Sequence, residues 1–295
     1  MDIISFAGAA GVAGAAGAAG AAAGAAGADP GRPMVSPSGR IPPAHSAFFA
    51  GKGAVLVKWQ SFIAAGRQCV AGLPDFAPGE KGKAVYLSGG DSLKGRLLQL
   101  EQALEGEMGK TLFPFVLIAV TPKSWEEEFS PWAAPALSRK TPAFTGGGNE
   151  YLRDLAGPIL QECEERLPLL PGRENRALAG YSLAGLSTLY ALYQTEAFSA
   201  LASVSGSLWF EGFLDYMEKT VPRCRDTRVY LSLGNKEEKS RHPLMRQVGD
   251  NTRRAIAVLE AQLIAPCTLE WNEGGHFDGV SERLCKAIRW MMEKK

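Results

Sequence analysis

The strongest constraint on the fold is a regular alternation of short apolar runs with longer segments of helical periodicity. The apolar runs predict strands at residues 54–57, 84–87, 113–120, 176–181, 201–205, 229–233 and 267–271. Between them, the spacing of apolar residues predicts helices at 93–104, 151–167, 183–193, 252–263 and 282–292. Strands and helices that alternate in this way favour an α/β fold, in which helices cover both faces of a mostly parallel sheet.

The composition allows a large buried core and gives no reason to expect a nucleic-acid partner. Hydrophobic residues make up 46% of the 295 residues and charged residues 21%, which suits one large α/β domain. The 32 basic and 31 acidic residues leave a formal net charge of +1. Because this balance produces no long-range positive field, binding to a phosphate backbone is not expected.

The N-terminal residues form a low-complexity tail. Residues 3–28 carry no charge and are almost all Ala or Gly, so we assign 1–33 to the tail and 34–295 to the folded domain. Ala and Gly bury little apolar area and the glycines weaken a helix, so stable membrane insertion is not expected. The chain begins without the positive charge of a secretory signal, which favours a cytoplasmic protein. Export is the alternative, because residues 26–28 read Ala-Gly-Ala, the form of a cleavage site.

The cysteine pattern argues against disulfides and metal sites. The chain has 5 cysteines, an odd number, scattered along the sequence without any Cys-x-x-Cys pair. Disulfide frameworks and structural zinc sites need paired or closely spaced cysteines. We therefore expect reduced thiols in a cytosolic protein, with no bound metal.

A short motif between a predicted strand and a predicted helix points to a nucleophile. It reads Gly180-Tyr-Ser-Leu-Ala-Gly185, which departs from the usual Gly-x-Ser-x-Gly pattern by one alanine. Small residues on both sides of Ser182 allow a tight turn that lifts its hydroxyl above the end of the strand. A simple turn or cap serine is the alternative, but the place between strand and helix favours a nucleophile.

A serine nucleophile needs a base, and the chain offers 3 histidines. His45 lies in a proline-rich entry segment, and His242 lies in a charged loop. His276 follows the last predicted strand, after two glycines that allow it to turn over the edge of the sheet. Enzymes built on this turn carry serine, acid and histidine in that chain order, and His276 fits it. His276 is therefore the predicted base, with an ordinary loop histidine as the alternative.

The acid that orients the histidine is predicted in the loop after the strand at 229–233. This loop contains Glu237 and Glu238, and a carboxylate there would orient the imidazole and stabilise its cation. Glu237 is the first choice and Glu238 the second. Two glutamates between lysines can equally form a solvated turn, which would leave a Ser–His dyad.

Two backbone N–H groups are expected to bind the negative charge that develops on the substrate oxygen. One belongs to Leu183, directly after the serine. The other is expected in the loop 88–92, at Gly90 or at Asp91, because glycine lets the backbone approach the substrate closely. The sequence does not distinguish Gly90 from Asp91, because the donor is a main-chain N–H and every residue except proline has one.

Four segments make a more specific pattern than the turn alone. They are GYSLAGL at 180–186, SVSGSLW at 203–209, LSLGNKEE at 231–238 and GHF at 275–277. From about residue 84 onward the chain resembles the Putative esterase family, the esterase D and enterochelin esterase-like branch of the α/β-hydrolase superfamily. The resemblance implies a three-layer α/β-hydrolase fold and hydrolysis of carboxylic esters through an acyl-enzyme, without a cofactor. Because similar members open siderophore trilactones, a siderophore-esterase-like activity is one expectation.

Tryptophans that follow predicted strand ends are candidates for a substrate pocket. They are Trp125, Trp132 and Trp209, for which packing of a surface loop is the alternative. The predicted partner is a small-molecule ester. The alternatives are an acyltransferase, in which an alcohol or amine replaces water, and a catalytically silent binding protein on the same fold.

Overall fold

The computed structural model describes residues 58–294. The predicted tail at 1–33, the start of the domain at residue 34 and the predicted strand at 54–57 lie outside these residues. Each of the other predicted strands and helices has a counterpart, with boundaries shifted by a few residues at most.

The sheet is mostly parallel. The described strands are β1 Lys58–Ala64, β2 Arg67–Leu73, β3 Lys83–Ser88, β4 Phe115–Val120, β5 Ala133–Ala134, β6 Phe144–Thr145, β7 Arg176–Tyr181, β8 Ala200–Val204, β9 Arg228–Gly234 and β10 Cys267–Asn272. An 8-stranded sheet has the order β1-β2-β4-β3-β7-β8-β9-β10, and β5 pairs with β6 separately. Strand β2 runs antiparallel to β1 and β4, and the remaining neighbours in the large sheet are parallel. The predicted mostly parallel sheet is therefore confirmed.

The helices follow the predicted alternation with one interruption. The described α-helices are α1 Lys94–Leu104, α2 Trp125–Glu128, α3 Gly148–Asp154, α4 Leu160–Arg166, α5 Leu183–Gln194, α6 Phe213–Lys219, α7 Val248–Gln262 and α8 Val280–Met292. A π-helical turn at Leu155–Ile159 divides the single helix predicted at 151–167 into α3 and α4. Pro158 lies in this turn and has no N–H to donate, which interrupts the regular hydrogen-bond pattern. None of the helices within 58–294 has the length and apolar content of a membrane span.

Each face of the sheet buries its own apolar cluster, and together they give three layers. Alternate residues of β3 point to the two faces, Tyr86 into one cluster and Leu87 into the other. Leu284 of α8 belongs to the cluster of Leu87, together with apolar residues of α1. Leu189 of α5 and Leu259 of α7 belong to the cluster of Tyr86. Every residue of β4 and β8 is buried, as expected for strands that are covered on both sides.

The order of the strands brings distant parts of the chain to one edge of the sheet. Strands β7, β8, β9 and β10 are consecutive neighbours and run parallel, so the segments that follow them lie side by side. Ser182 directly follows β7, Glu237 follows β9 and His276 follows β10. The topology therefore gathers the three predicted side chains at the carboxyl ends of the strands.

The β1–β2 hairpin was not predicted from the sequence. Its strands pair in antiparallel register through a two-residue turn at Ala65 and Gly66. Both turn residues have positive φ, 47° and 73°, as in the turns that suit the twist of a hairpin. Alanine rarely adopts a positive φ, so the usual Asn-Gly or Asp-Gly signal of such a turn is missing.

Candidate active site

The turn between β7 and α5 holds Ser182 in a conformation that few non-glycine residues adopt. Its backbone angles are φ 61° and ψ −123°, outside the regions ordinarily open to residues with a Cβ. The N–H of Ser182 donates to the carbonyl O of Val204 at 3.0 Å, and its own carbonyl O accepts from the N–H of Ser207 at 3.0 Å. The loop after β8 therefore stabilises the strained turn.

Close packing explains the small residues around the serine. A Cβ on Gly180 would lie 2.3 Å from the carbonyl O of Ala184, and one on Gly185 would lie 3.0 Å from the carbonyl O of Gly180. Gly180 therefore cannot be replaced without a shift of the backbone. Ala184 stands where the usual motif has its second glycine, and it is fully buried. The turn thus accommodates one methyl group at this position.

His276 lies between β10 and α8 with its ring next to the serine. Its Nε2 is 2.9 Å from Oγ of Ser182, and its side chain is 24% exposed. The hydroxyl of Tyr181 donates a hydrogen bond to the carbonyl O of His276. Burial raises the pKa of Tyr181 to about 12, so the hydroxyl keeps the proton that it donates. The strand that leads to the serine therefore also anchors the backbone of the histidine.

Glu237 lies in a 3₁₀ turn after β9, with its carboxylate on the far side of the imidazole. Its Oε2 is 2.7 Å from Nδ1 of His276. Its Oε1 accepts hydrogen bonds from the N–H of Gly234 at 2.8 Å and from the hydroxyl of Ser205 at 2.9 Å. The side chain is 4% exposed, so these bonds replace water around a buried charge. Ser182, His276 and Glu237 form one hydrogen-bonded chain.

The surroundings of Glu237 keep its carboxyl ionised. Burial raises the pKa of Glu237, but the hydrogen bond and charge of His276 lower it, as do the bonds from Gly234 and Ser205. The resulting pKa lies below the usual value. A carboxylate beside Nδ1 favours the tautomer with a proton on Nδ1, which leaves Nε2 able to accept the serine proton.

The second glutamate and the other histidines do not belong to this chain of hydrogen bonds. Glu238 forms an ion pair with Arg253 at 3.0 Å. His242 places Nε2 3.4 Å from the carbonyl O of Leu137. His45 lies outside the described residues. Of the two glutamates that the sequence left open, Glu237 is the one that reaches the histidine.

Ser205 and Arg283 contact the acid and were missed by the sequence analysis. Nη1 of Arg283 lies 2.9 Å from Oε1 of Glu237 and 2.9 Å from Oγ of Ser205. The sequence does carry a signal for Arg283, because it lies on the same face of α8 as the buried Val280 and Ala287. A charged residue on the buried face of a helix needs a polar partner, and the partner is the acid of the site.

The predicted oxyanion donors lie at the ends of two other elements. Leu183 is the first residue of α5, so its N–H has no acceptor within its own helix. In the loop after β3, the N–H of Gly89 donates to a carbonyl O of β4 at 3.1 Å, which leaves Gly90 and Asp91 as the candidates. Gly90 has φ +23°, and a Cβ on it would lie 2.1 Å from Oγ1 of Thr121, so only glycine fits there.

The three candidate tryptophans differ in their surroundings. Trp125 packs edge-on against Phe129, with ring centroids 4.9 Å apart. Trp132 packs against Tyr216 at 5.4 Å, and its N–H donates to a backbone carbonyl O at 3.1 Å. Trp209 is half-buried in the loop after β8, the loop that also binds the backbone of the serine turn. Of the three, Trp209 lies in the segment that contacts the nucleophile turn.

The order of the strands and the hydrogen-bonded chain of Ser182, His276 and Glu237 have the arrangement of the α/β-hydrolase fold. Within residues 58–294, no group of three or more His, Cys, Asp or Glu side chains is arranged to hold a metal ion. Residues 67–262 match the sequence profile of the family described as Putative esterase. This match spans more than half of the chain, and the protein therefore belongs to the Putative esterase family. Its activity is cleavage of carboxylic esters, and its partner is a small-molecule ester, as the sequence predicted.

Similar proteins support this assignment of the fold. The chain is 28% identical over 219 residues to the uncharacterized protein YbbA of Bacillus subtilis (strain 168), which covers 72% of this chain and 86% of YbbA. The solved structure of an IroE-like serine hydrolase from Shewanella oneidensis has a TM-score of 0.67 at 18% identity and 79% coverage of both chains. The siderophore hydrolase EstA from Aspergillus nidulans has a TM-score of 0.65 at 20% identity, with 84% of this chain and 98% of EstA covered. The predicted α/β-hydrolase fold is confirmed.

Proposed function

We propose that this esterase forms an acyl-enzyme on Ser182, with His276 as general base and acid and Glu237 as the orienting acid. The observation that carries the proposal is an unbroken chain of two hydrogen bonds. Oγ of Ser182 lies 2.9 Å from Nε2 of His276, and Nδ1 lies 2.7 Å from Oε2 of Glu237. A serine hydroxyl is a weak nucleophile until a base takes its proton, and this geometry supplies the base.

In the first half of the reaction, Oγ of Ser182 attacks the ester carbonyl carbon while its proton moves to Nε2 of His276. The Glu237 carboxylate accepts a hydrogen bond from Nδ1–H of His276 and stabilises the imidazolium that forms. The imidazolium then gives its proton to the oxygen of the departing alcohol, and the bond between that oxygen and the carbonyl carbon breaks. The acyl group remains on the serine.

In the second half, water replaces the alcohol. His276 takes a proton from the water, which attacks the carbonyl carbon of the acyl-enzyme. The resulting imidazolium returns a proton to Oγ of Ser182 as the acyl bond breaks. The carboxylic acid leaves, and the hydrogen-bonded chain is restored.

The oxyanion of both tetrahedral intermediates is assigned to backbone donors. One donor is the N–H of Leu183, which is unused within α5 and adjoins the nucleophile. The second is the N–H of Gly90 or Asp91 in the loop after β3. Donors of this kind are fixed before the reaction, and each contributes about 3 kcal/mol to transition-state stabilisation.

Within carboxylic esters, we propose siderophore-type esters as the substrate class. The support is the shared fold with the IroE-like serine hydrolase and with the siderophore hydrolase EstA. A second support is Trp209, which is half-buried in the loop that binds the serine turn, and we assign to its ring a contact with an aromatic chelating group of such an ester.

The nucleophile is tested by fluorophosphonate labelling with mass-spectrometric mapping of the modified residue. The wild type and Ser187→Ala should be labelled at Ser182, while Ser182→Ala should be neither labelled nor active. Ser187 is a matched control on the next helix, because its buried hydroxyl has no hydrogen-bond partner among the described residues. Labelling of folded Ser182→Ala at another serine would assign the nucleophile elsewhere.

The substrate class is tested separately with the unlabelled wild-type enzyme. We expect kcat/KM for a cyclic catecholate trilactone to exceed that for p-nitrophenyl butyrate, with linear catecholate esters in between. Activity on the p-nitrophenyl ester alone would reject the siderophore class and leave the esterase mechanism in place.

A further inference from the structure

The guanidinium of Arg283 is buried directly behind the acid of the site. Arg283 belongs to α8, and its side chain is 2% exposed. A charged side chain that is removed from water is strongly unfavourable unless it is paired and hydrogen bonded. The contacts of this guanidinium therefore show what the fold gains from burying it.

One arm of the guanidinium binds the acid and its neighbour. Nη1 lies 2.9 Å from Oε1 of Glu237 and 2.9 Å from Oγ of Ser205. With the N–H of Gly234, Oε1 thus accepts from three donors, at 2.8, 2.9 and 2.9 Å. These three bonds hold Oε1 and leave Oε2 for His276.

The other arm binds the segment that leads to the histidine. Nη2 donates to the carbonyl O of Glu273 at 3.0 Å and to that of Gly275 at 2.9 Å. Gly275 immediately precedes His276 in the chain. One side chain from α8 therefore joins the acid loop after β9 to the histidine loop after β10.

The surrounding backbone is shaped to admit this group. A Cβ on Gly234 would lie 2.6 Å from Nη2 and 3.0 Å from Nη1 of Arg283. Gly234 is also the residue whose N–H binds Oε1 of Glu237. A side chain at this position would push the guanidinium away from both loops.

We propose that Arg283 is a positioning residue for the ester hydrolysis, one that holds Glu237 and the loop of His276 in the register that their hydrogen bond requires. This inference rests on the proposed function. Arg283 has no hydrogen bond to Ser182, so it acts through Glu237 and through the loop that carries His276. Loss of Arg283 would weaken the 2.7 Å hydrogen bond between Oε2 of Glu237 and Nδ1 of His276.

The charge of Arg283 also bears on the protonation of the imidazole. Glu237 contacts the ring of His276, and Tyr181 bonds to its carbonyl O. Next to these contacts, the charge of Arg96 on α1 acts on Tyr181, Asp278 accepts from the N–H of Gly275, and Arg283 on α8 binds Glu237 and the carbonyl O of Glu273. Arg283 is the cation bonded to the carboxylate that contacts the ring. Its removal leaves a more negative field at the ring, which favours the imidazolium. The acid limb of the kcat/KM profile should therefore move to higher pH.

The test compares Arg283→Met, Arg283→Lys and the control Arg289→Met. Arg289 lies on the same helix, is 38% exposed at its side chain and pairs with Glu107, away from the site. We expect Arg283→Met to lower kcat about a hundredfold, the usual effect of a misplacement of about 1 Å, with little change in KM. The acid limb of the kcat/KM profile of Arg283→Met should move to higher pH. Arg283→Lys should keep the acid limb and recover part of kcat, because lysine restores the charge but cannot bind both loops. Arg289→Met should match the wild type.

A double-mutant cycle separates positioning from general destabilisation. If Arg283 acts through Glu237, Arg283→Met or Arg283→Lys should cost much less kcat in a Glu237→Gln background than in the wild type. If Arg283→Met does not fold, Arg283→Lys alone serves for the cycle. A wild-type kcat in folded Arg283→Lys together with an unmoved acid limb in Arg283→Met, or an equal loss in both backgrounds, would overturn the inference. Failure of the proposed function would show instead as Ser182→Ala that is folded and fully active.

Discussion

Glu237 and His276 lie 39 positions apart in the chain, and their side chains are hydrogen bonded at 2.7 Å. The neighbouring glutamate, Glu238, is instead paired with Arg253 on α7 at 3.0 Å. Two adjacent carboxylates thus have different partners: Glu237 contacts His276, next to the nucleophile, and Glu238 contacts Arg253 on α7. This difference provides a matched pair of variants.

Glu237→Gln should lower kcat by about a hundredfold to ten-thousandfold, because an amide can stabilise the wrong tautomer of the histidine and does not stabilise its cation. Glu238→Gln should leave kcat close to the wild-type value, since a partly exposed ion pair contributes at most about 1 kcal/mol to stability. Steady-state kinetics on one p-nitrophenyl ester measures both. Equal losses in the two variants would argue against Glu237 as the orienting acid.

The ionised state of Glu237 should appear in the pH dependence of stability. Because the folded-state pKa is below the usual value, the folded protein binds this proton less readily than the unfolded chain. The stabilisation is therefore complete above the unfolded pKa, about 4.3, and is lost as the pH falls through the folded pKa. Urea unfolding should show the stability of the wild type falling more steeply than that of Glu237→Gln below about pH 4.5. Parallel curves for the two proteins would contradict the assignment.

Gly90→Ala should damage the oxyanion loop. The new Cβ would lie 2.1 Å from Oγ1 of Thr121, at a residue with φ +23°. We expect kcat to fall by about 10² to 10³, the usual effect of a lost oxyanion donor, together with a lower melting temperature. Gly95→Ala on the adjoining helix is the control, since no atom lies within 4 Å of its added Cβ. It should keep full activity and gain up to about 1 kcal/mol of stability. Unchanged kcat in Gly90→Ala would place the donor elsewhere.

Glu128 should matter for stability where Glu126 does not. Glu128 pairs with Arg67 at 2.7 Å, with side-chain exposures of 11% and 3%. Glu128→Ala leaves the arginine with Asp154 as its remaining charged partner, and removal of one member of such a pair costs about 3 to 5 kcal/mol. Glu126→Ala should change stability by no more than about 0.5 kcal/mol. Urea unfolding of both variants provides the comparison, and similar midpoints would rule out a structural role for this ion pair.

Local patterns were sufficient to predict the turn that carries Ser182. Its determinants, Gly180 and Gly185, are near neighbours in the sequence, and β7 runs over Arg176–Tyr181 as predicted. Periodicity and glycine placement report interactions of this short range. The place of His276 beside Ser182 was also predictable, because it follows the last strand and two glycines and precedes the last helix.

The rest of the site depends on contacts between distant segments. Nothing in the local sequence separates Glu237 from Glu238, and the choice is made by the way the 3₁₀ turn directs each side chain. Ser205 is one of two serines in the loop after β8, and its role follows from the position of Glu237. Arg283 interrupts the buried face of α8, but the sequence does not show which partner compensates its charge.

The β1–β2 hairpin was missed for a different reason. Its turn uses Ala65 and Gly66, and alanine at positive φ does not carry the propensity by which such turns are recognised. Pairing along the strands, and of β2 with β4, stabilises this conformation. Tertiary structure here overrides a local preference.

The guanidinium behind the acid comes from α8, which ends at Met292 and is the last helix of the described chain. During synthesis, the serine, the glutamate and the histidine all emerge before it. A nascent polypeptide that ends before residue 283 already contains these three groups but lacks the guanidinium that bonds to both loops. We therefore expect the loops of Glu237 and His276 to reach their final alignment only after this helix has packed against the sheet.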